Sequence, residues 1–469
     1  MLLIFGEVKN MAIVLTLKLS QLEGQKRIDA EYYQPEYSEI RHKLSQIKTK
    51  RIKEISTSVV SFGAYSLCNY IVWKEKGIPY LNVENVREGY MDLDGVKYID
   101  KEVNEILKKS QVRKGQVILT MAGTIGNAAV AYKLPKKVNS NQATAKITLN
   151  PNISPFFIAA FLNSCFGKKQ TEWEIVTSVQ ANIFLWQIKE IKVPIVSKKI
   201  ENEIEKLYKK GLDKLEFSKS LCSQAENLLL EKLKLNVFKP KYKLFYTANL
   251  AKAFGLHRID AEYFQPCHDD LIKYLGDKFE IAPLKKFILN FQKGIEVGSE
   301  SYQKEGKPFI RVSNLSIHGL VEKDQKYIND KLYQNLRDTY EPKIGDFLLT
   351  KDATPGIAYV TKEPTKGIIA SGILKLNINE NEIYKEYLAL CVNLMIGKMQ
   401  IERDSGGSVI THWRPEQIKN LLIPILPSQI QQKITSLVRH SHEARKEAKE
   451  LLEKTKRKVE NAIENEIKK

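Results

Sequence analysis

The stretch RIDAEYYQP at Arg27–Pro35 recurs as RIDAEYFQP at Arg258–Pro266, 231 residues further along a chain of 469. Eight of the nine residues are kept, and the one change, Tyr33 to Phe264, keeps the ring. A fixed period of this size has to be followed outward before any local pattern is read. At an offset near 230, GIPYLNVENVREG (Gly77–Gly89) aligns with GKPFIRVSNLSIHG (Gly306–Gly319), which has one residue more. GQVILTMAGTIGNAAV (Gly115–Val130) aligns with GDFLLTKDATPGIAYV (Gly345–Val360), and SVQANIFLWQIKEIKVPI (Ser178–Ile195) with SVITHWRPEQIKNLLIPI (Ser408–Ile425). Matches that keep one order from end to end make the chain an internal duplication.

Both copies share a grammar. Short β-rich runs separated by Gly, Pro and Asn turns come first, with apolar helices at Pro155–Phe166 and Tyr384–Met399. After a Val/Ile-Pro-Ile element the pattern turns helical. From Ser428 to the end there is neither Pro nor Gly, and apolar residues fall near a 3.5–3.6 residue seam. The seam residues expected to pair are Ile200, Ile204, Leu207, Leu215, Leu221 and Leu228 in one helix and Ile430, Ile434, Leu437, Leu451 and Val459 in the other, with Gly211 a weak point. A long helix with one apolar stripe must bury it, and the partner nearest to hand is the other copy's helix. The expected fold is therefore α+β. Two β-rich domains are related by a pseudo-two-fold axis and separated by two long helices paired as an antiparallel coiled coil. The boundaries follow as 1–195 for the first domain, 196–236 for a central helical spacer, 237–426 for the second domain and 427–469 for a C-terminal helical spacer. The repeat can be traced back only to about Thr16, so Met11 is a candidate initiator and the ten residues before it are not expected to matter for the fold.

Composition bounds the function. Hydrophobic residues make up 43% and charged residues 28%, as in a soluble globular protein. No apolar run reaches the roughly 18–20 residues needed to cross a bilayer. Five scattered cysteines form no CxxC pair, which suggests neither a disulfide framework nor a zinc site, and a reducing cytoplasm is the expected compartment. The net charge of +19 fits a phosphate-binding surface, and it also fits solvated lysine-rich helix faces.

No catalytic, cofactor-binding or metal-binding set emerges. GTIGN at Gly123–Asn127 lacks the lysine of a phosphate loop, and Asn150-Pro151-Asn152 fails as a methyl-transfer tetrapeptide at its third position. Cys267-His268-Asp269-Asp270 cannot converge on one ion from a helix, and His440 and His442 point to different faces. What remains is binding chemistry, in loops that differ between the copies on a shared frame. Base edges are read by Arg, Lys, Asn, Gln, Ser and Thr, and thymine methyls accept apolar contacts. The first copy offers Ser61, Phe62, Tyr65, Asn82, Asn85, Arg87, Thr124, Asn127, Gln180 and Asn182. The second offers Lys293, Ser299, Ser301, Arg311, Ser313, Asn314, Lys351, Thr354, Thr411, His412, Trp413 and Arg414. Neutral divergence of exposed loops is the bland reading of each residue; two different half-site sequences would explain the loops as sets.

The chain resembles, nearly end to end, the specificity subunits of type I restriction–modification systems. RIDAEYYQP and RIDAEYFQP look like that family's domain start. ILTMAGTIGNAAV (Ile118–Val130) is similar to its Gly-Thr-Ile-Gly strand-turn, Asn141-Gln142 to the Asn-Gln pair that follows, and IPILPSQIQQKI (Ile423–Ile434) to the junction that launches its helix. The turn reads Ala353-Thr354-Pro355-Gly356 in the second copy, and VPIVSKKIENEI in the first copy's junction lacks the Gln pair. The resemblance implies a non-catalytic subunit that reads a bipartite, asymmetric double-stranded DNA target. It would dock two methylation subunits and then restriction/translocation subunits, with S-adenosylmethionine, ATP and magnesium on those partners. Three other readings stay open: the specificity chain of a related multisubunit methylase/nuclease outside type I, a coiled-coil adaptor whose β-rich domains bind protein, and an independent enzyme. A longer first helix, extended near Gly211, is expected to change the tolerated spacer and neither half-site.

Overall fold

The structure, a computed structural model, describes residues 2–8, 11–17, 28–63, 65–175, 181–322, 324–405 and 411–469; for the first two segments and Tyr65 the description is of backbone alone. The chain divides into two units, Met1–Leu215 with Lys446–Lys469, and Glu216–Arg445. The four segments marked in the sequence run along the chain, whereas the units follow packing. Each unit therefore takes one part of each long helix, Lys198–Lys232 and Ser428–Ile467.

In the first unit a four-stranded antiparallel sheet has the order Ala128–Val130, Val117–Thr120, Thr144–Leu149, Ser56–Val60. Its central strand VILT is buried on both faces because successive side chains alternate. Val117 and Leu119 enter the core shared with the helices Pro155–Asn163 and Cys165–Trp173, while Ile118 packs with Leu81 and Val86 on the other side. A three-stranded sheet, Asn139–Ser140, Ile78–Leu81, Lys97–Ile99, mixes a parallel and an antiparallel pair. The second unit repeats both orders. Ala358–Val360, Phe347–Thr350, Ile373–Ile378 and Ile288–Lys293 form its four-stranded sheet, and Ile368–Ile369, Lys307–Ile310 and Lys326–Ile328 the three-stranded one. The duplication read from sequence is thus a duplication of strand order.

The apolar helix expected at Pro155–Phe166 is two helices, broken at Ser164, and its counterpart breaks at Leu394. Side-chain amides tie these helices to strand backbone. Asn163 accepts from the Ala128 amide at 2.9 Å and donates to the Ala128 carbonyl at 2.7 Å; Asn393 does the same with Ala358, at 2.9 and 2.8 Å. Gln170 and Gln400 make the matching double bonds to Lys192 and Leu422.

RIDAEYYQP builds an entry. Ala30–Tyr33 is a short turn and Pro35 starts the helix Pro35–Ser45; Pro266 likewise starts Pro266–Gly276. Tyr32 and Tyr33 are buried in the first unit, with the Arg41 guanidinium 4.0 Å from the Tyr32 ring centre. In the second unit Tyr263 and Phe264 are only half-buried. The residues ahead of Met11 correct one expectation. Leu2–Val8 pairs antiparallel with Met11–Leu17, so they form half of a hairpin.

The long helices run antiparallel within each unit. In the first, Lys458 reaches Glu203 at 2.6 Å, and Lys214 pairs with Glu447, so numbers rise on one helix as they fall on the other. In the second, the Ser218 and Ser441 hydroxyls lie 3.1 Å apart. Gly211 is no weak point. Helix runs unbroken through it, and its missing Cβ makes room for Leu452. Of the seam residues, Ile204, Leu215, Leu221, Ile434 and Val459 are buried. Ile200, Leu207, Leu228, Ile430, Leu437 and Leu451 are half-buried, and Tyr208, Leu229 and Leu452 take the buried positions beside three of them.

Candidate nucleic-acid interface

Antiparallel pairing brings the loops that follow Val60 and Thr120, and the one that precedes Thr144, to the same end of the first unit's sheet. Backbone bonds knit them together: the Met121 amide donates to the Ala143 carbonyl (2.8 Å) and the Ile183 amide to the Met121 carbonyl (2.9 Å), with Ala122 bridging Asn182. The Asn141 amide donates to the Leu81 carbonyl, which draws in the loop beginning at Asn82. The second unit builds the same end. There Lys351 donates to Gly372 (2.9 Å), Trp413 donates to Lys351 (2.8 Å), and Asp352 bridges His412.

The repeated Thr and Gly residues shape these ends. The Thr120 hydroxyl donates to the Thr124 carbonyl and accepts from the Asn127 amide; Thr350 bonds the Thr354 carbonyl and the Ile357 amide in the same way. Gly126 and Gly356 sit at φ of 85° and 90°, where a side chain is disfavoured. Gly123, at φ 67°, is matched by Ala353 at φ 58°, so the second copy holds a non-glycine residue in left-handed backbone.

Several residues read as base contacts belong to this frame instead. Asn85 accepts from the Asn82 amide and donates to the Asp92 carbonyl, and Asn314 holds Arg311 and Val321 in the same way. Both are buried, as are Phe62 among Ile78, Tyr80 and Ile99, Trp413 in the second unit's main core, and Asn127, which donates to the Val86 carbonyl. A buried amide that satisfies its own backbone has no edge left for a base. Arg87 is half-buried beside Glu88, which pairs with Lys168 and with Lys456 of the second long helix. Gln180 lies outside the described residues, and of Tyr65 only the backbone is described.

Thr124 is exposed, and Ser61, Asn82 and Asn182 are half-buried, at the first unit's loop end. At the second unit's loop end and in its adjoining loops, Lys293, Ser299, Ser313, Thr354, His412 and Arg414 are exposed; Ser301, Arg311, Lys351 and Thr411 are half-buried. Ser301 donates to the Val297 carbonyl and Arg311 pairs with Asp324. Sequence reasoning missed Phe184 and Trp186, exposed just after Asn182, whose repeat partners are Arg414 and Glu416. The second unit adds Asp352, whose carboxylate accepts from Lys351 and, at 2.8 Å, from His412 Nδ1. Burial would raise its pKa, but the hydrogen bonds from Lys351 and His412 outweigh it and hold the carboxyl below the usual range. Among the described residues, no group of three or more His, Cys, Asp or Glu could hold a metal ion, and no helix is long and apolar enough to cross a membrane.

The two units are thus copies of one frame that carry different loop ends. Residues 275–454 match the family model described as type I restriction modification DNA specificity domain. Over 134 residues the chain is 29% identical to the type I restriction enzyme EcoBI specificity subunit of Escherichia coli. That match covers 27% of this chain and 27% of the relative, so it spans about a quarter of the curated protein. Among solved structures, the S subunit of a type I restriction–modification system from M. genitalium is 14% identical with a TM-score of 0.40, covering 89% of this chain and 94% of that one. The HsdS subunit from Thermoanaerobacter tengcongensis is 12% identical with a TM-score of 0.29, covering 89% and 96%.

Proposed function

We propose that the chain is the sequence-reading subunit of a type I restriction–modification complex, with each unit reading one half of a bipartite, asymmetric duplex target. One observation carries this reading. The strand order, turn hydroxyls and amide ties are common to both units, while their loop ends differ in chemistry. Ala122, Asn182, Phe184 and Trp186 stand where the second unit has Asp352, His412, Arg414 and Glu416. A common frame fixes the approach to the duplex, and different side chains at its end select different bases. The net charge of +19 supplies phosphate contacts that are independent of sequence.

In this reading the chain carries no catalysis of its own and works in the cytoplasm. It docks two methylation subunits and the restriction/translocation subunits, which hold S-adenosylmethionine, ATP and magnesium. Exposed apolar groups support docking: Phe217 on the first long helix, and Leu244, Phe245 and Ile259 ahead of the second entry helix. The helices, 35 and 40 residues long, span about 50–60 Å at 1.5 Å per residue and would set the unread spacer.

The test compares the reconstituted complex on its target duplex, found by mapping methylated bases, with a scrambled duplex over a salt series. Base reading should leave at least about a 1,000-fold preference after phosphate attraction is screened. Equal binding to both duplexes at every salt concentration would rule the reading out.

A further inference from the structure

The two loop ends differ most where Ala122 meets Asn182 in one unit and Asp352 meets His412 in the other. The backbone bridge is the same, and in the second unit a side-chain bond between Asp352 and His412 spans it. The His412 side chain is 60% exposed and the Asp352 side chain 20%, so a well-covered carboxylate holds an open imidazole. Lys351, 12% exposed, satisfies the other carboxylate oxygen, and the backbone of residues 351 and 353 is tied to Trp413 and Thr411. Asp352 is thus fixed from two sides and can orient the ring.

A carboxylate that accepts from Nδ1 selects the tautomer with its proton on Nδ1. In the neutral ring, Nε2 on the far edge is then a hydrogen-bond acceptor. In the major groove the groups that donate to an acceptor are the exocyclic amines, N6 of adenine and N4 of cytosine; guanine N7 and O6 and thymine O4 are acceptors themselves. The exposed side chains Thr354 and Arg414 flank the same two loops.

We propose that His412, oriented by Asp352, is a specificity-determining residue of the second unit that accepts a hydrogen bond through Nε2 from an exocyclic amine of one target base. The proposal rests on the DNA-reading function above and names the chemistry read at one point of it. His412 touches the base, and Asp352 is a positioning residue. In the first unit Asn182, which can both donate and accept, stands in the same place.

The experiment uses the full chain assembled with its methylation subunits and a pool of randomised duplexes sequenced before and after selection. Wild type should favour adenine or cytosine over guanine and thymine at one position of one half-site. His412→Ala should relax that position by about 5–150-fold, taking a base contact as worth about 1–3 kcal/mol, and leave the others as they were. Asp352→Asn, near in shape but able to present either a donor or an acceptor to Nδ1, should loosen the same position and no other. If wild type selects no sequence, the DNA-reading function fails and the inference with it. If wild type selects a bipartite sequence but both variants keep every preference, or lose all positions equally, His412 is not a base reader.

Discussion

Gly167 and Gly397 sit 230 residues apart, each in the first turn after a helix break. A Cβ on Gly167 would collide with the Phe161 carbonyl and the Leu162 backbone, and one on Gly397 with the Val392 backbone. Neither neighbour is a flexible side-chain tip, so Gly→Ala at either position cannot be absorbed by a rotamer change. Each substitution should destabilise its own unit by about 1–3 kcal/mol despite alanine's better helix propensity, as read by chemical denaturation. An unchanged midpoint in both would contradict the close packing. The sequence held a faint signal here, since Gly-Lys recurs at both positions. Residues of the candidate site were legible only in part. Asn85, Asn127 and Asn314 have the right chemistry for base edges, but composition does not tell whether a loop amide faces solvent or serves its own backbone. Phe184 and Trp186 were hidden for the opposite reason: aromatic residues in a loop read as packing until their exposure is known.

The two long helices were legible as elements, and their buried faces only to within a residue. Where leucines adjoin, as in Leu228–Leu230 and Leu451–Leu452, periodicity alone does not decide which one turns inward, and Leu229 and Leu452 do. The helices also carry titrating groups into the units. His442 stands on the second helix where the repeat places Leu212 on the first. Burial, together with the charges of Lys362, His318 and Arg445, pushes its imidazole down to about 4, against a smaller opposing effect of Glu386. Its folded pKa lies below the unfolded value of about 6.5, so its contribution is fully present above that pH and is lost as the pH falls toward about 4. The loss is on the order of 2–3 kcal/mol. Glu386 is buried and held low because its bonds to Arg439 and Lys362 outweigh the desolvation that would raise it, so its own contribution declines only at more acid pH. Urea midpoints of the wild type should therefore fall between roughly pH 6.5 and 4.5, and His442→Leu should flatten that stretch. The same slope in both proteins would assign it to another group.

At the scale of the whole molecule, the duplication and strand-rich class were readable because the repeat survives in turn glycines, threonines and amides that the backbone itself needs. The division into units was not, because each gathers segments far apart in sequence through tertiary packing. The central claim is that each unit reads its own half of the target through the loop end of its sheet. The most direct measurement is the methylome of cells in which Ala122–Ile125 and Asn182–Trp186 are replaced by the residues of Asp352–Pro355 and His412–Glu416, set beside that of the wild type. The account predicts a bipartite methylated motif in which one half changes while the other half and the spacer stay as they were. A motif changed in both halves, or in neither, would contradict it.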